Sequence, residues 1–118
     1  MTDTDTLLKL RSALREFAAA REWEQFHSPK NLAMALAGEA GEVIEHFQWL
    51  REDESFALPA ARRDEVALEL ADVLLYLVRL ADVLGVDLAD TATRKLAINA
   101  ERYPVERARG RSEKYDKL

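Results

Sequence analysis

Apolar residues recur at helical spacing in four stretches of this chain, and the polar residues between them carry helix caps and breakers. Leu7, Leu10, Leu14, Phe17 and Ala18 share one face of a first helix, predicted from about Thr6 to Arg21. Ser28-Pro29 reads as an N-cap followed by proline at the first helical position. A second helix runs from there to about Leu50, with Leu32, Leu36, Val43, Ile44 and Phe47 as core candidates. Gly38 and Gly41 inside it cost roughly 1 kcal/mol each against alanine. They point either to close approach by a helix or ligand, or to packing alone. Arg51 to Leu58 reads as a loop. The third helix spans about Pro59 to Leu84 and stops at Gly85 as the C′ residue. Asp87 caps a fourth, which ends at Arg102 because Pro104 disfavours helix at Tyr103. Val105 to Leu118 has no apolar period, carries Arg107, Arg109, Arg111, Lys114 and Lys117, and is expected to be an extended basic tail. With no strand alternation or repeat, the fold class is all-α, a four-helix-bundle-like domain over 1–104 with a tail over 105–118.

The third helix is apolar nearly all round, through Val66, Leu68, Leu70, Val73, Leu74, Leu75, Leu77, Val78 and Leu80. Such a helix is buried on most sides. A bundle of 118 residues leaves part of that surface wet, so the excess is expected to be covered in a homo-oligomer.

Composition narrows the chemistry. An apolar share of 48% with 33% charged residues is that of a globular protein. With no cysteine there are no disulfides and no thiolate zinc site, and two histidines leave carboxylates as the main metal ligands. A net charge of −5 argues against a nucleic-acid polymer as partner. The acidic start, Met1-Thr2-Asp3-Thr4-Asp5, lacks signal-peptide order, and Arg79 and Asp82 interrupt the longest apolar run. No membrane partner and a cytoplasmic location are expected.

Within the apolar third helix the polar residues form a line: Glu65, Glu69, Asp72, Tyr76 and Arg79, at steps of three and four. The second helix has a matching line in Glu39, Glu42, Glu45 or His46, and Trp49. If the two helices run antiparallel, Glu39-x-x-Glu42 meets Glu69-x-x-Asp72. Four carboxylates in an apolar setting repel one another and lose hydration, which is costly unless a cation neutralises them. All-oxygen sets suit magnesium, manganese or calcium, and magnesium commonly bridges carboxylates to substrate phosphates. The competing reading is a pair of solvated helix faces balanced by Arg or Lys. A di-iron bundle is rejected, since it needs two Glu-x-x-His motifs and only Glu24-x-x-His27 is present, just before Pro29. Trp23, Trp49 and Tyr76 could stack on a base, or could be core. Lys95, Asn99 and Arg102 share a helix face that could hold phosphates, or could be solvated surface. His27, just ahead of Ser28-Pro29, fits a structural hydrogen-bonding role.

The run from Arg21 through Trp23-Glu24-Gln25-Phe26-His27-Ser28-Pro29-Lys30-Asn31-Leu32 resembles the WEQFHxPxNL signature of the dCTP pyrophosphatases, within the MazG-like all-α nucleoside triphosphate pyrophosphohydrolases. The resemblance continues through Gly38 to Glu42, Phe47 to Trp49, Glu69 to Val78, Lys95, Ile98-Asn99, Arg102 to Pro104 and Lys114-Tyr115. It implies magnesium, with manganese as the substitute, held by Glu39, Glu42, Glu69 and Asp72. It implies Glu39 or Glu42 as the residue that activates water. Trp23, Trp49 and Tyr76 would surround base and sugar, with His27 among the substrate contacts, and Lys95, Asn99, Arg102 and Lys114 would hold the triphosphate. The implied reaction is hydrolysis of dCTP, and of 5-modified dCTP, to a monophosphate and pyrophosphate by a homotetramer or dimer. A broader dNTP pyrophosphatase and a non-hydrolysing nucleotide-binding oligomer are the alternatives. Leu14 stands where close animal relatives have histidine, and the loop from Arg51 to Leu58 is shorter; both bear on base selectivity.

Overall fold

In the computed structural model the backbone is described for residues 3–118 and side chains from Asp5 onward; Met1 and Thr2, part of the acidic start read above, lie outside the described residues. Helix α1 spans Asp3–Ala20, α2 Pro29–Glu45, α3 Glu52–Ser55, α4 Ala60–Val83, α5 Leu88–Arg102 and α6 Val105–Ala108. Short 3₁₀ turns lie at Glu24–Phe26 and Tyr115–Lys117. The all-α class expected from the apolar period is what forms.

Local chemistry sets most of these boundaries. Ser28 accepts a hydrogen bond from the Asn31 amide at 3.1 Å with Pro29 opening α2, and Asp87 does the same for Asp90 at 3.0 Å ahead of α5. Gly85 takes a φ of +70° after α4, and the Val86 amide reaches back to the Ala81 carbonyl while Gly85 reaches Asp82. That double closure is the Schellman arrangement, and only glycine enters it without strain.

Three sequence expectations change. Helix α2 ends at Glu45 rather than Leu50, because the His46 and Phe47 amides bond to the carbonyls three residues back and the chain tightens into turns. Part of the expected loop is helical: the Glu54 carboxylate accepts from the Arg51 amide at 2.8 Å and closes α3. The C-terminal segment is not extended throughout, since Pro104 starts α6 and the Tyr115 amide donates to the Tyr103 hydroxyl at 3.2 Å.

The chain divides into two compact units, one ending at Val86 and the other Asp87–Leu118. In the first, α4 packs on both α2 and α1. Arg62, near the start of α4, donates to the His46 carbonyl at the end of α2, whereas Glu39 meets Glu69 and Asp72 further along α4. The two helices therefore run antiparallel. Ala18 of α1, Leu32 of α2 and Val66, Val78 and Ala81 of α4 form the buried core. Ile44, a core candidate, is instead 58% exposed, and Leu68, Leu70, Leu74 and Leu77 of α4 are exposed too. Among the described residues, nothing beyond the helix's own backbone and the adjoining residues lies within 4 Å of a Cβ built on Gly38 or Gly41, so no packed neighbour there requires glycine. In the second unit, Tyr103 and Tyr115 meet edge to face at 6.1 Å, and the Arg102 guanidinium lies 4.7 Å from the Tyr115 ring centre. Among the described residues no helix is long and apolar enough to cross a membrane.

Candidate functional site

Helices α2 and α4 carry the four acidic residues to one place. Carboxylate oxygens of Glu39, Glu69 and Asp72 lie within 4.8 Å of one another, close enough to share a cation. Glu42 adjoins both Glu39 and Glu69. One oxygen each of Glu39 and Glu69 (Oε2 in both) is buried with no hydrogen-bond partner. Two ionised carboxylates have no proton to share, so such oxygens need either a proton or a cation.

The electrostatics say the same. A carboxyl-to-carboxyl contact with Glu42, then burial, then the charges of Glu42, Asp72 and Glu39 push Glu69 up to about 7. Burial, followed by the charge and contact of Glu42 and the charge of Asp72, raises Glu39 as well. Like charges brought together out of water each favour the protonated form of the other. The donor set is all oxygen, the carboxylates converge, and a divalent ion such as magnesium would satisfy them.

Beside this cluster, and sharing Asp72 with it, is a cavity of about 420 Å³. Leu10, Ala13, Leu14 and Phe17 of α1 form one wall, Leu75 and Tyr76 of α4 another, and Trp23 and His27 lie in the connection between α1 and α2. That volume is in the range of small-ligand sites, and a mostly apolar wall with few polar groups is their usual make-up. Glu22 takes a φ of +54°, uncommon for a residue with a Cβ, as the chain turns out of α1. The Trp23 ring that follows meets Phe17 edge to face at 5.6 Å and His27 at 6.4 Å. Arg21 lies over the other aromatic, 3.6 Å from the Phe17 ring centre.

The residues singled out from the sequence are thus partly assembled. Trp23, His27, Tyr76 and Asp72 line one cavity, and Glu39, Glu42 and Glu69 adjoin it through Asp72. Trp49, in the turn after α2, is 87% exposed and outside the lining. Lys95, Asn99 and Arg102 on α5, and Lys114 ahead of the last 3₁₀ turn, belong to the second unit.

One group was not read as part of the site. Arg79 lines the cavity with only 9% of its surface exposed. Its Nε donates to His27 Nδ1 at 3.1 Å, and its Nη1 lies 3.5 Å from Asp82. Asp82 in turn accepts from Arg15 Nε at 2.7 Å, and a second bond from Arg15 Nη2 makes the pair bidentate. These bonds from Arg15 hold Asp82 below the usual carboxylate range against the opposing effect of burial, with the charges of Arg15, Arg11 and Arg79 adding to it. Burial, then the Arg79 charge, lowers His27 below its ordinary value, opposed by Glu24. A neutral ring that accepts at Nδ1 carries its proton on Nε2. The signal was available: Arg79 continues the line of Glu69, Asp72 and Tyr76 along an otherwise apolar helix.

Known proteins are similar to this chain in sequence and in fold. A MazG-like family profile matches residues 35–118. Human dCTP pyrophosphatase 1 is 48% identical over 115 residues, covering 96% of this chain and 68% of its own. The mouse protein of that name is 47% identical over the same shares. A crystal structure of a pyrophosphatase from Archaeoglobus fulgidus superposes with a TM-score of 0.79 at 41% identity, covering 84% of this chain and 93% of that one. With this identity over nearly the whole chain, a matching helical fold and the carboxylates of α2 and α4 drawn together, the chain belongs to the MazG-like family.

Proposed function

We propose that this protein hydrolyses dCTP, and 5-modified dCTP, to the monophosphate and pyrophosphate with magnesium as cofactor. The observation that carries the reading is the convergence of Glu39, Glu69 and Asp72, two of them with orphaned buried oxygens, beside a cavity of nucleoside size. Similarity to enzymes named for dCTP hydrolysis supports the substrate.

Glu39, Glu42, Glu69 and Asp72 would hold the ion. When bound, magnesium neutralises triphosphate charge and stabilises the charge that develops at the cleaved bond. Glu39 or Glu42 orients the attacking water and accepts its proton as the new P–O bond forms and the bridging P–O bond breaks. Trp23 and Tyr76 flank the base, and the aliphatic wall of Leu10, Ala13, Leu14 and Leu75 accepts an apolar substituent on the ring. From the resemblance, Lys95, Asn99, Arg102 and Lys114 would contact the triphosphate, and Trp49 would lie among the aromatics around the sugar and base. The exposed leucines 70, 74 and 77, at helical spacing on α4, are covered by further copies in a homotetramer or dimer.

Pyrophosphate release is the test, from dCTP, 5-methyl-dCTP, dUTP, dTTP and CTP, each with magnesium and with EDTA. Release that needs the metal and favours the deoxycytidine triphosphates is expected. Equal release from all five would replace the cytosine reading with a broad one, and none from any would contradict the hydrolytic reading.

A further inference from the structure

The polar group of this cavity that the proposed chemistry leaves unused is Arg79. It rests in a largely apolar wall, and a guanidinium there is costly unless its donors are satisfied. The protein satisfies only part of it. Nε is committed to His27, and Nη1 faces Asp82 at 3.5 Å. Nη2 makes no hydrogen bond to the described residues, yet it is not sealed from solvent. Arg15 already binds Asp82 through two bonds, so Arg79 is not needed to balance that carboxylate. A planar group held on one edge by His27 and on one flank by Asp82 has a fixed plane, and its remaining N–H donors are left for whatever enters.

We infer that Arg79 is the specificity-determining residue for the base, its Nη donors reading the adjacent N3 and O2 acceptors of cytosine. This rests on the reading that the cavity holds the base. Cytosine offers two neighbouring acceptors on that edge, and a guanidinium offers two neighbouring donors in one plane. Uracil and thymine carry a hydrogen on N3, so a donor would face a donor and the buried guanidinium would lose a bond it had in the cytosine complex. Sites that hydrogen-bond a ligand reject the analogue lacking the partner far more strongly than apolar pockets do. His27 is a positioning residue in this arrangement: its Nδ1 accepts from Nε and orients the fork. An apolar wall such as that of Leu14 and Leu75 discriminates size alone; the fork adds discrimination of the Watson–Crick edge.

The experiment measures kcat/KM for dCTP, dUTP and 3-deaza-dCTP, in which N3 is replaced by C–H, with the wild type, Arg79→Met and Arg79→Lys. The wild type is expected to prefer dCTP over both others, and Arg79→Met to reduce each preference by about 10- to 100-fold. Arg79→Lys, which keeps the charge but not the planar pair, is expected to lose selectivity likewise. Equal losses on dCTP and dUTP would overturn the inference, since a phosphate-binding or purely structural arginine acts on both alike. Full selectivity in Arg79→Lys would overturn it too. If Arg79→Met fails to fold, the wild type still decides: equal turnover of dCTP and 3-deaza-dCTP means that N3 is not read. A wild type that hydrolyses dCTP without these preferences defeats this inference alone, whereas one that hydrolyses no nucleotide defeats the proposed function and this inference with it.

Discussion

Helix α4 carries two clusters of charge, and they are built in opposite ways. At Glu69 and Asp72 it meets Glu39 and Glu42, carboxylate against carboxylate, with two oxygens buried and unpartnered. A few residues on, at Arg79 and Asp82, it meets Arg15 and His27, and there each charge has an opposite charge or a lone pair beside it. The second group is balanced in charge within the chain and braces α4 against α1 and the turn that follows it, with only Nη donors of Arg79 left over. The unbalanced group stores repulsion that only a proton or a cation relieves, which marks it as a place for something to bind. Burial alone does not distinguish structure from function; the presence or absence of compensation does.

Removing a member of each group should therefore have opposite effects. Glu69→Gln takes away one of the repelling charges. Its pyrophosphate release from dCTP should fall by at least about 100-fold, while its melting temperature without divalent ions should rise or stay level. Asp82→Ala removes the counter-charge that Arg15 and Arg79 share. It should lower stability by about 3 kcal/mol in denaturant titration, because Arg79 is left buried with its cationic neighbour. A Glu69→Gln protein that melts far below the wild type would mean that this cluster too is a structural brace.

The same contrast appears in the sequence. Glu39-x-x-Glu42 and Glu69-x-x-Asp72 are legible because i, i+3 spacing fixes a face before any tertiary contact is known. The caps at Ser28, Gly85 and Asp87 are equally local, and so the main helices could be placed. Helix α3 was hidden because one turn held by a single Glu54 carboxylate has no apolar period to betray it. The end of α2 has no glycine or proline to announce it, only a change in backbone bonding. The Arg79–His27 bond joins residues 52 apart and Arg15–Asp82 residues 67 apart, and no spacing rule reaches that far. What is local in the chain could be read; what α4 gathers from α1 and the following turn had to be seen.

A smaller effect sharpens the comparison through pH. Glu69 binds its proton more tightly folded, at about 7, than unfolded near the ordinary carboxylate value of about 4.3. Folding thus takes up a proton between those values, and without metal the protein should be stabilised as pH falls from 8 toward 5. Asp82 is shifted the other way, so its contribution is present above its unfolded value and is lost only as the solution becomes more acid than that. Melting temperature against pH, with EDTA and with magnesium, checks this: a rise toward pH 5 in EDTA that magnesium flattens is expected, and matching curves would speak against it.

The most direct measurement is manganese binding followed by electron paramagnetic resonance at pH 8, for the wild type and for Glu69→Gln, with magnesium added as competitor. The account predicts that the wild type removes free manganese signal, that magnesium restores it, and that Glu69→Gln binds much more weakly. Equal binding by both proteins, or none by the wild type, would contradict the claim that these four carboxylates form a metal site.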